Sequence, residues 1–600
     1  MRIFSHTCLE HVAMEMHAPD SLSHKNTQLA AHGLELWHEL TDWPRDMGTS
    51  LDPIGMSMPI AHAFTAWLMH PQELSRHVAL LNSEIWRLQQ HFCSRMMGLD
   101  SEDPIRPHPD DNRFADPVWT EAAGWDLVKE VYLAYTHTLQ DMLYATPGIS
   151  DAERRKAAFW WRKWLNMVAP TNFLFTNPVA LRLAMESHGV SLLNGFKQFL
   201  TDAAVGNVRM TDLSKFKVGE NLAVTPGSVV ARNKLLEVIH YAPTAKEVHS
   251  EPIVIVTPWI NKFYVLDMTP KRSMVAWLLN QGFDVFITSW KNPDASMRAT
   301  TFDSYITDGI DFIVQTARQF TGAKQVHAAA YCIGGTALST YMAWANSKFS
   351  PKEQPVASWT LFTTLTDFSA PGDIEVFIDE SSIDYLCRKM DADGYLDGKD
   401  MAVTFRLLRS NSLIWHYVVH GWLYGETPMP FDVLYWNMDC TRMPAAMHKW
   451  YLRELYLHNR LIQPDSLTVA GEPINLGNIA QPLYSVATED DHIAPWKQVF
   501  RTMNHVTADR RFVLSSSGHI LGILNPPVNP PKRTYRAANI DTAMDADHWQ
   551  QNTDVIAGSW WEDWMAWLKP KAGAMVAARP AATAKYPEIV PAPGKYVIEP

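Results

Sequence analysis

The chemistry this chain could do gathers around one cysteine. Ala330-Tyr331-Cys332-Ile333-Gly334-Gly335 sets Cys332 between an apolar run and a helical pattern. This is the form of a nucleophile elbow, G-x-S-x-G, with Cys in place of Ser and Ala in place of the first Gly. Such a turn needs small flanking residues, because the backbone at the nucleophile is pinched between strand and helix, and Ala330 and Gly334 meet that need. A buried structural cysteine at a Gly-rich turn is the plain alternative, so the partners must decide. Glu489-Asp490-Asp491-His492 and Ser517-Gly518-His519 lie downstream, each just after a short apolar run. Nucleophile, then acid, then histidine is the chain order of the α/β-hydrolase triad. The chemistry would be acyl transfer through a covalent thioester. A free thiol with a pKa near ~8.5 is mostly protonated at neutral pH, and a paired histidine raises its thiolate fraction.

The elements that must position these residues are legible as strands alternating with helices. Apolar runs at Ile253-Val254-Ile255-Val256, Phe283 to Thr288, Gln325 to Tyr331, Trp359 to Thr363, Pro482 to Val486 and Arg511 to Leu514 read as strands. Ile306, Ile310, Ile313, Ala317 and Phe320 fall on one face of an intervening helix, so a parallel α/β sheet is expected. The elbow requires an oxyanion hole made by the backbone N–H of Ile333 and by a second N–H from the loop at Trp259-Ile260, with Ile260 the candidate. The stretch between Asp367 and the next strand is far too long for an ordinary connection and reads as a cap, residues 367–475, that keeps water off an acyl-enzyme.

Domain boundaries follow from the same reading. Residues 1–215 read as a helical N-terminal domain, with the amphipathic run Pro71 to Met97 and a Pro-rich break at residues 103–109. Residues 216–570 read as the α/β catalytic domain, and residues 571–600 as a loosely ordered Ala/Pro-rich tail. Trp560, Trp561, Trp564, Trp567 and Leu568 share a helix face, expected to dock on the core; contact with a hydrophobic body is the alternative. The segment Trp436 to Leu461 carries more Trp, Tyr, Met and Leu than a sheet edge needs to bury, which would suit a homodimer or packing on the N-terminal helices.

Composition removes several function classes. The chain has 600 residues, 52 Lys+Arg against 64 Asp+Glu, and a net charge of −12 with no basic run, which argues against nucleic acid as partner. Five scattered cysteines (Cys8, Cys93, Cys332, Cys387, Cys440) without a CxxC pair suggest neither a disulfide framework nor a zinc ribbon, so a reducing cytoplasm is expected. Glu10 and Glu15 break the run after Arg2, so no signal peptide is expected, and no stretch reads as a transmembrane segment. No HExxH or Cys/His cluster suggests a metal, and no GxGxxG or P-loop suggests a nucleotide cofactor.

Tyr331-Cys332-Ile333-Gly334-Gly335, Asp491-His492-Ile493-Ala494-Pro495-Trp496 and Gly518-His519-Ile520-Leu521-Gly522-Ile523-Leu524-Asn525-Pro526-Pro527 resemble the signature blocks of class I polyhydroxyalkanoate synthases. Asn112 to Pro117, Pro170 to Phe173, Gly219 to Thr225, Trp290 to Met297 and Tyr435 to Asn437 extend the resemblance from about Asn112 to the C-terminus. It implies an α/β-hydrolase fold and polymerisation of (R)-3-hydroxyacyl-CoA, typically 3-hydroxybutyryl-CoA, with CoA part of the substrate and no separate cofactor. By the resemblance Cys332 is nucleophile and acyl carrier, His519 the base and Asp491 the acid, which assists the incoming 3-hydroxyl as well as, or instead of, orienting the histidine. His492 stands beside the substrate site. Also implied are a homodimer, a growing polyester chain and granule surface as partners, and a place in the cytoplasm at granules. Ala330 departs from the family's Gly. The rival readings are a thioesterase, lipase or polyester depolymerase of the same fold, which would be expected to use Ser, and a non-catalytic granule-coat protein.

Overall fold

The structure is a computed structural model and describes residues 55–99, 101–109 and 111–599. Cys8, Glu10 and Glu15, with the rest of residues 1–54, lie outside the described residues. From Met56 onward the chain forms one compact unit.

An 11-stranded sheet organises it. In chain order its strands are β1 (Gly227–Arg232), β2 (Leu236–Tyr241), β3 (Ile253–Val256), β4 (Val285–Trp290), β5 (Val326–Tyr331), β6 (Val356–Phe362), β7 (Leu483–Thr488), β8 (Arg510–Ser515), β9 (Thr534–Asn539), β10 (Ile556–Ala557) and β11 (Val590–Pro591). The spatial order is β10-β9-β8-β7-β6-β5-β3-β4-β2-β1-β11. The central run from β4 to β8 is parallel, and antiparallel strands flank it on both sides. The short apolar runs of the sequence are this parallel centre, where burial on both faces demands continuous Val, Ile and Ala rather than alternation. The half-polar flanking strands β1, β2 and β9 carry no such run and were not anticipated.

Helices precede the sheet: α1 (Ser57–Met69), α2 (Pro71–Met96), α3 (Ala123–Tyr144), α4 (Asp151–Met167) and α5 (Val190–Val205). The helical layer leans on the cap. Arg155 pairs with Glu375 at 2.7 Å, Lys156 with Asp379 at 2.5 Å and Arg162 with Asp373 at 3.2 Å, around an edge-to-face cluster of Phe159, Trp160 and Phe377. The Trp436 to Leu461 segment behaves differently from its sequence-based expectation. Trp436, Met443, Met447, Tyr451, Leu452, Leu455 and Leu461 are buried in the cores of this same chain, so they are not surplus surface awaiting a second copy.

Two further helices matter to the site. The helix α6 (Ile333–Lys348) runs buried across the sheet directly after β5, as the uncharged stretch from Gln325 to Ser347 requires. The helix α7 (Trp560–Leu568) docks on the core with Trp560, Trp561 and Trp564 fully covered. The Ala/Pro-rich tail is a correction: it is not loose. Met575–Ala577 pairs with Glu247–His249, β11 adds to β1, and Arg579 reaches the buried Asp284 carboxylate at 2.7 Å. A tail that supplies edge strands and neutralises a buried charge is held by those partners whatever its composition.

Candidate active site

Cys332 sits between β5 and α6 with φ 54° and ψ −127°, a backbone conformation that costs a non-glycine residue about 1–3 kcal/mol. Its N–H donates to the Phe362 carbonyl at 2.9 Å, and its own carbonyl accepts from Gly335 at 2.8 Å. These bonds hold the side chain at the C-terminal edge of the sheet, at the mouth of the helix. The glycines serve close approach rather than backbone freedom. A Cβ on Gly334 would lie 2.7 Å from the carbonyl oxygens of Val256 and Thr257, and one on Gly335 would collide with Thr364. Helix α6 therefore rests on the end of β3 at backbone distance. Ala330 is fully buried in the central strand, opposite Val256 on one side and Leu361 on the other.

Asp491 follows β7 and His519 follows β8, so both reach the same edge from neighbouring strands. His519 Nδ1 lies 2.6 Å from Asp491 Oδ2. The other carboxylate oxygen accepts the N–H groups of Ile493 at 2.8 Å and Ala494 at 2.9 Å, an Asx-type turn that fixes the acid's rotamer. Cys332 lies near enough to His519 for its charge to act on the imidazole. Burial disfavours the charged imidazole, but the Asp491 and Cys332 charges outweigh it and hold His519 well above its ordinary value. Tyr331 donates its hydroxyl to the His519 carbonyl at 3.1 Å, pinning the loop from beneath. Helix α7 pins it from the other end: the Trp560 and Trp561 indole N–H groups donate to the Gly522 and Ile523 carbonyls, each at 2.9 Å.

Within this chain the family is decided by comparison with known proteins. Residues 110–278 match the profile described as the N-terminus of poly-beta-hydroxybutyrate polymerase (PhaC), and residues 260–526 match the alpha/beta hydrolase fold. The poly(3-hydroxyalkanoate) polymerase subunit PhaC of Rhizobium meliloti is 37% identical over 96% of this chain and 95% of its own length. The poly(3-hydroxyalkanoate) polymerase of Methylorubrum extorquens is 38% identical over 90% of this chain and 89% of its own. The chain belongs to the poly(3-hydroxyalkanoate) polymerase family. The PhaC subunit of Cupriavidus necator is 39% identical over 81% of this chain and 83% of its own. Among solved structures, a monoacylglycerol lipase from Paleococcus ferrophilus is similar at 14% identity and a TM-score of 0.30, covering 47% of this chain and 90% of the lipase. The α/β-hydrolase profile of this polymerase-family chain contains Cys332, Asp491 and His519 together.

The remaining expected site residues lie on the helix after Cys332, on the loop after β3 and beside Asp491. Ile333 opens α6, ahead of the helix's own hydrogen bonds, so its N–H is one of the unclaimed first-turn donors. Ile260 lies in the loop after β3, which is tied to the cap where Thr441 donates its N–H to the Ile260 carbonyl at 3.1 Å. His492 is half-buried; desolvation, with Arg409 nearby, pushes it down to about 4, so it is neutral at pH 7. Two site residues escape the sequence reading. Tyr451 and Tyr456 of the cap have rings 5.6 Å apart, and the Cys332 charge bears on both phenols, which burial already raises. They share one turn because Tyr451–Leu457 is a π-helical stretch. Five residues apart in an ordinary α-helix they would point away from each other, so a 3.6-residue period conceals them.

Proposed function

We propose that this chain polymerises (R)-3-hydroxyacyl-CoA, with 3-hydroxybutyryl-CoA the preferred monomer, into polyhydroxyalkanoate with release of CoA, through a thioester on Cys332. The observation that carries the reading is the alignment of a strained Cys332 with His519 and a buried Asp491 in a chain whose relatives are named poly(3-hydroxyalkanoate) polymerases. With Nδ1 held by Asp491, the other ring nitrogen of His519 serves the Cys332 sulfur. His519, whose basicity is raised, takes up the proton of the Cys332 thiol, so the sulfur attacks as a thiolate. The thiolate attacks the acyl-CoA carbonyl, the oxyanion rests on the N–H groups of Ile333 and Ile260, and His519 gives its proton to the departing CoA sulfur. The 3-hydroxyl of another unit then yields its proton to His519 and attacks the acyl-Cys332 thioester, which forms the ester and frees the thiolate.

The chemistry favours sulfur over oxygen here. Loading exchanges one thioester for another and is close to balanced, whereas transfer to a hydroxyl runs downhill. Asp491 acts on His519, since both of its carboxylate oxygens are engaged and its side chain is fully covered. Tyr451 and Tyr456 are neutral phenols at the nucleophile, suited to orient the acyl chain while the cap keeps out water that would divert the reaction to free acid. The working enzyme is a homodimer at polyester granules in the cytoplasm, requiring no cofactor beyond the CoA of its substrate; these features rest on the family resemblance. Replacing Cys332 by Ala abolishes polymer formation and CoA release in a folded protein, and Cys332→Ser retains only a small remainder. Polymerisation by Cys332→Ala at the wild-type rate would sink the reading. Comparing turnover of C4 and C8 3-hydroxyacyl-CoA tests the monomer, and faster turnover of C8 rejects the short-chain assignment.

A further inference from the structure

A second buried histidine–carboxylate group lies in the helical layer, and the proposed reaction makes no use of it. Helix α2 supplies His91, α3 supplies Asp126 and Glu130 one turn apart, and the Pro-rich connection between them supplies Asp103. One ligand atom from each of these side chains lies within 4.8 Å of all the others. His91 Nε2 stands 3.1 Å from Asp126 Oδ2 and 3.8 Å from Glu130 Oε2. Its other nitrogen meets the Ser101 hydroxyl at 2.8 Å. In one tautomer Nε2–H donates to Asp126; in the other, with Nδ1–H given to Ser101, the Nε2 lone pair is free to bind a cation among these carboxylates.

The acids exceed what the protein offers to balance them. Lys129 is the buried cation of the group, 2.7 Å from Asp126 and 3.6 Å from Asp103. Glu130 is 0% exposed, and neither of its carboxylate oxygens accepts a hydrogen bond; the Ile105 amide faces it without reaching bonding geometry. An unpaired buried carboxylate costs several kcal/mol, on the order of the whole stability of some domains. A cation among these groups would convert every one of these deficits into a bond. The Ser101 contact already orients the imidazole as an outer partner orients a metal-bound histidine.

We infer that His91, Asp103, Asp126 and Glu130 form a structural site for a divalent metal ion of the Zn2+ type, which ties α2, α3 and the Pro-rich connection together. Imidazole with carboxylates and no thiolate is a donor set for Zn2+ or Mn2+ rather than for Cu+. The ligand atoms, all within 4.8 Å of one another and some at 3.1 and 3.8 Å, bracket the ~3.4 Å edge of a tetrahedron with bonds of ~2.1 Å. Sequence motifs do not reveal the site, because its ligands come from separate elements with no fixed spacing.

The test uses the full chain carrying Cys332→Ala, which removes the catalytic thiolate as a competing ligand. After dialysis against a chelator, the protein is titrated with Zn2+ and, separately, with Co2+ for its visible absorption. A single metal ion per chain, a rise in thermal midpoint and a Co2+ spectrum of nitrogen and oxygen ligation are expected. Glu130→Gln and His91→Gln, checked for folding by circular dichroism, should each weaken binding by at least ~10-fold. Failure of the chelator-treated chain to take up either metal overturns the inference, whatever the variants do. So does undiminished binding in both variants, which would place the metal elsewhere. A folded Glu130→Gln chain more stable than its parent and indifferent to metal would show instead that Glu130 is held as a neutral acid.

Discussion

The sheet edge that carries Cys332, Asp491 and His519 and the cap above it are built on opposite principles. At the edge each reacting group follows a central parallel strand within a few residues: Cys332 after Tyr331, Asp491 after Thr488, His519 after Ser515. Backbone hydrogen bonds between strands set their separation, so side-chain chemistry is nearly all that varies. The cap, from Thr363 to Pro482, has helices interrupted by π stretches at Asn411–Trp415, Val419–Leu423 and Tyr451–Leu457. Its geometry depends on aromatic packing and on ion pairs to the helical layer. In the proposed reaction the edge holds the reacting groups and the cap covers them. Substitutions at the edge should therefore remove activity, whereas substitutions in the cap should tune it.

The largest effect is expected where α6 meets β3. Gly334→Ala would drive a methyl group into the carbonyls of Val256 and Thr257, rigid backbone that cannot step aside. It should cost about 1–3 kcal/mol or more and displace Cys332, seen as a lower thermal midpoint with almost no CoA release. Ala330→Val should behave alike, whereas Ala330→Gly should keep or raise polymer synthesis. An Ala330→Val chain as active and stable as its parent would mean there is no tight elbow at Cys332.

Asp491→Asn comes next. In the proposed reaction CoA leaves with the His519 proton, which is lost as pH rises through the imidazolium's pKa. Asp491 holds that value up, so the Asn variant should lose most turnover, and its alkaline limb should move to lower pH. The sign for stability is the same. A raised histidine stabilises the fold fully below its unfolded value near ~6.5, and this is lost as pH climbs through the folded value. The wild type's stability advantage over Asp491→Asn should therefore be greatest in acid and shrink toward high pH. An unmoved limb would assign Asp491 to the incoming hydroxyl instead.

Trp561→Phe should be milder. It removes the indole donor from the buried Ile523 carbonyl, which keeps the Asn525 N–H at 2.8 Å, a loss of about 0.5–1.5 kcal/mol, and loosens the segment that follows His519. Turnover should fall while KM changes little. The smallest effect is expected in the cap: Tyr456→Phe should leave the thermal midpoint nearly unchanged, yet alter the ratio of C4 to C8 turnover. If it instead removes activity as completely as the edge variants, the cap takes part in the chemistry and the contrast between the two regions fails.

The apolar runs from Ile253 to Val256 and from Gln325 to Tyr331 were legible because doubly buried parallel strands leave no room for polar residues. The run placed at Phe283 to Thr288 begins later, at Val285, and extends to Trp290, since a run of hydrophobes does not mark where pairing starts. The shared edge of Cys332, Asp491 and His519 was legible because each stands directly behind such a strand. The order of the tail was not, because it comes from partners hundreds of residues away, such as Asp284 for Arg579. Nor was the use of the tryptophans: composition shows many, but only docking shows that the indoles of Trp560 and Trp561 secure the loop after His519.

By itself, then, the sequence determined the parallel sheet, the chain order of Cys332, Asp491 and His519 behind its strands, and the family. These are written in local patterns: strand periodicity, the small residues of a tight turn, and short blocks next to strands. Tertiary structure alone decided that the Tyr451 and Tyr456 rings pair with each other within reach of the Cys332 charge, that the helical layer buttresses the cap, and that His91 faces Glu130. Those pairings are made by side chains far apart in the chain or out of step with the helical period. Their energy comes from burial and charge balance, which no segment possesses until the rest has folded around it.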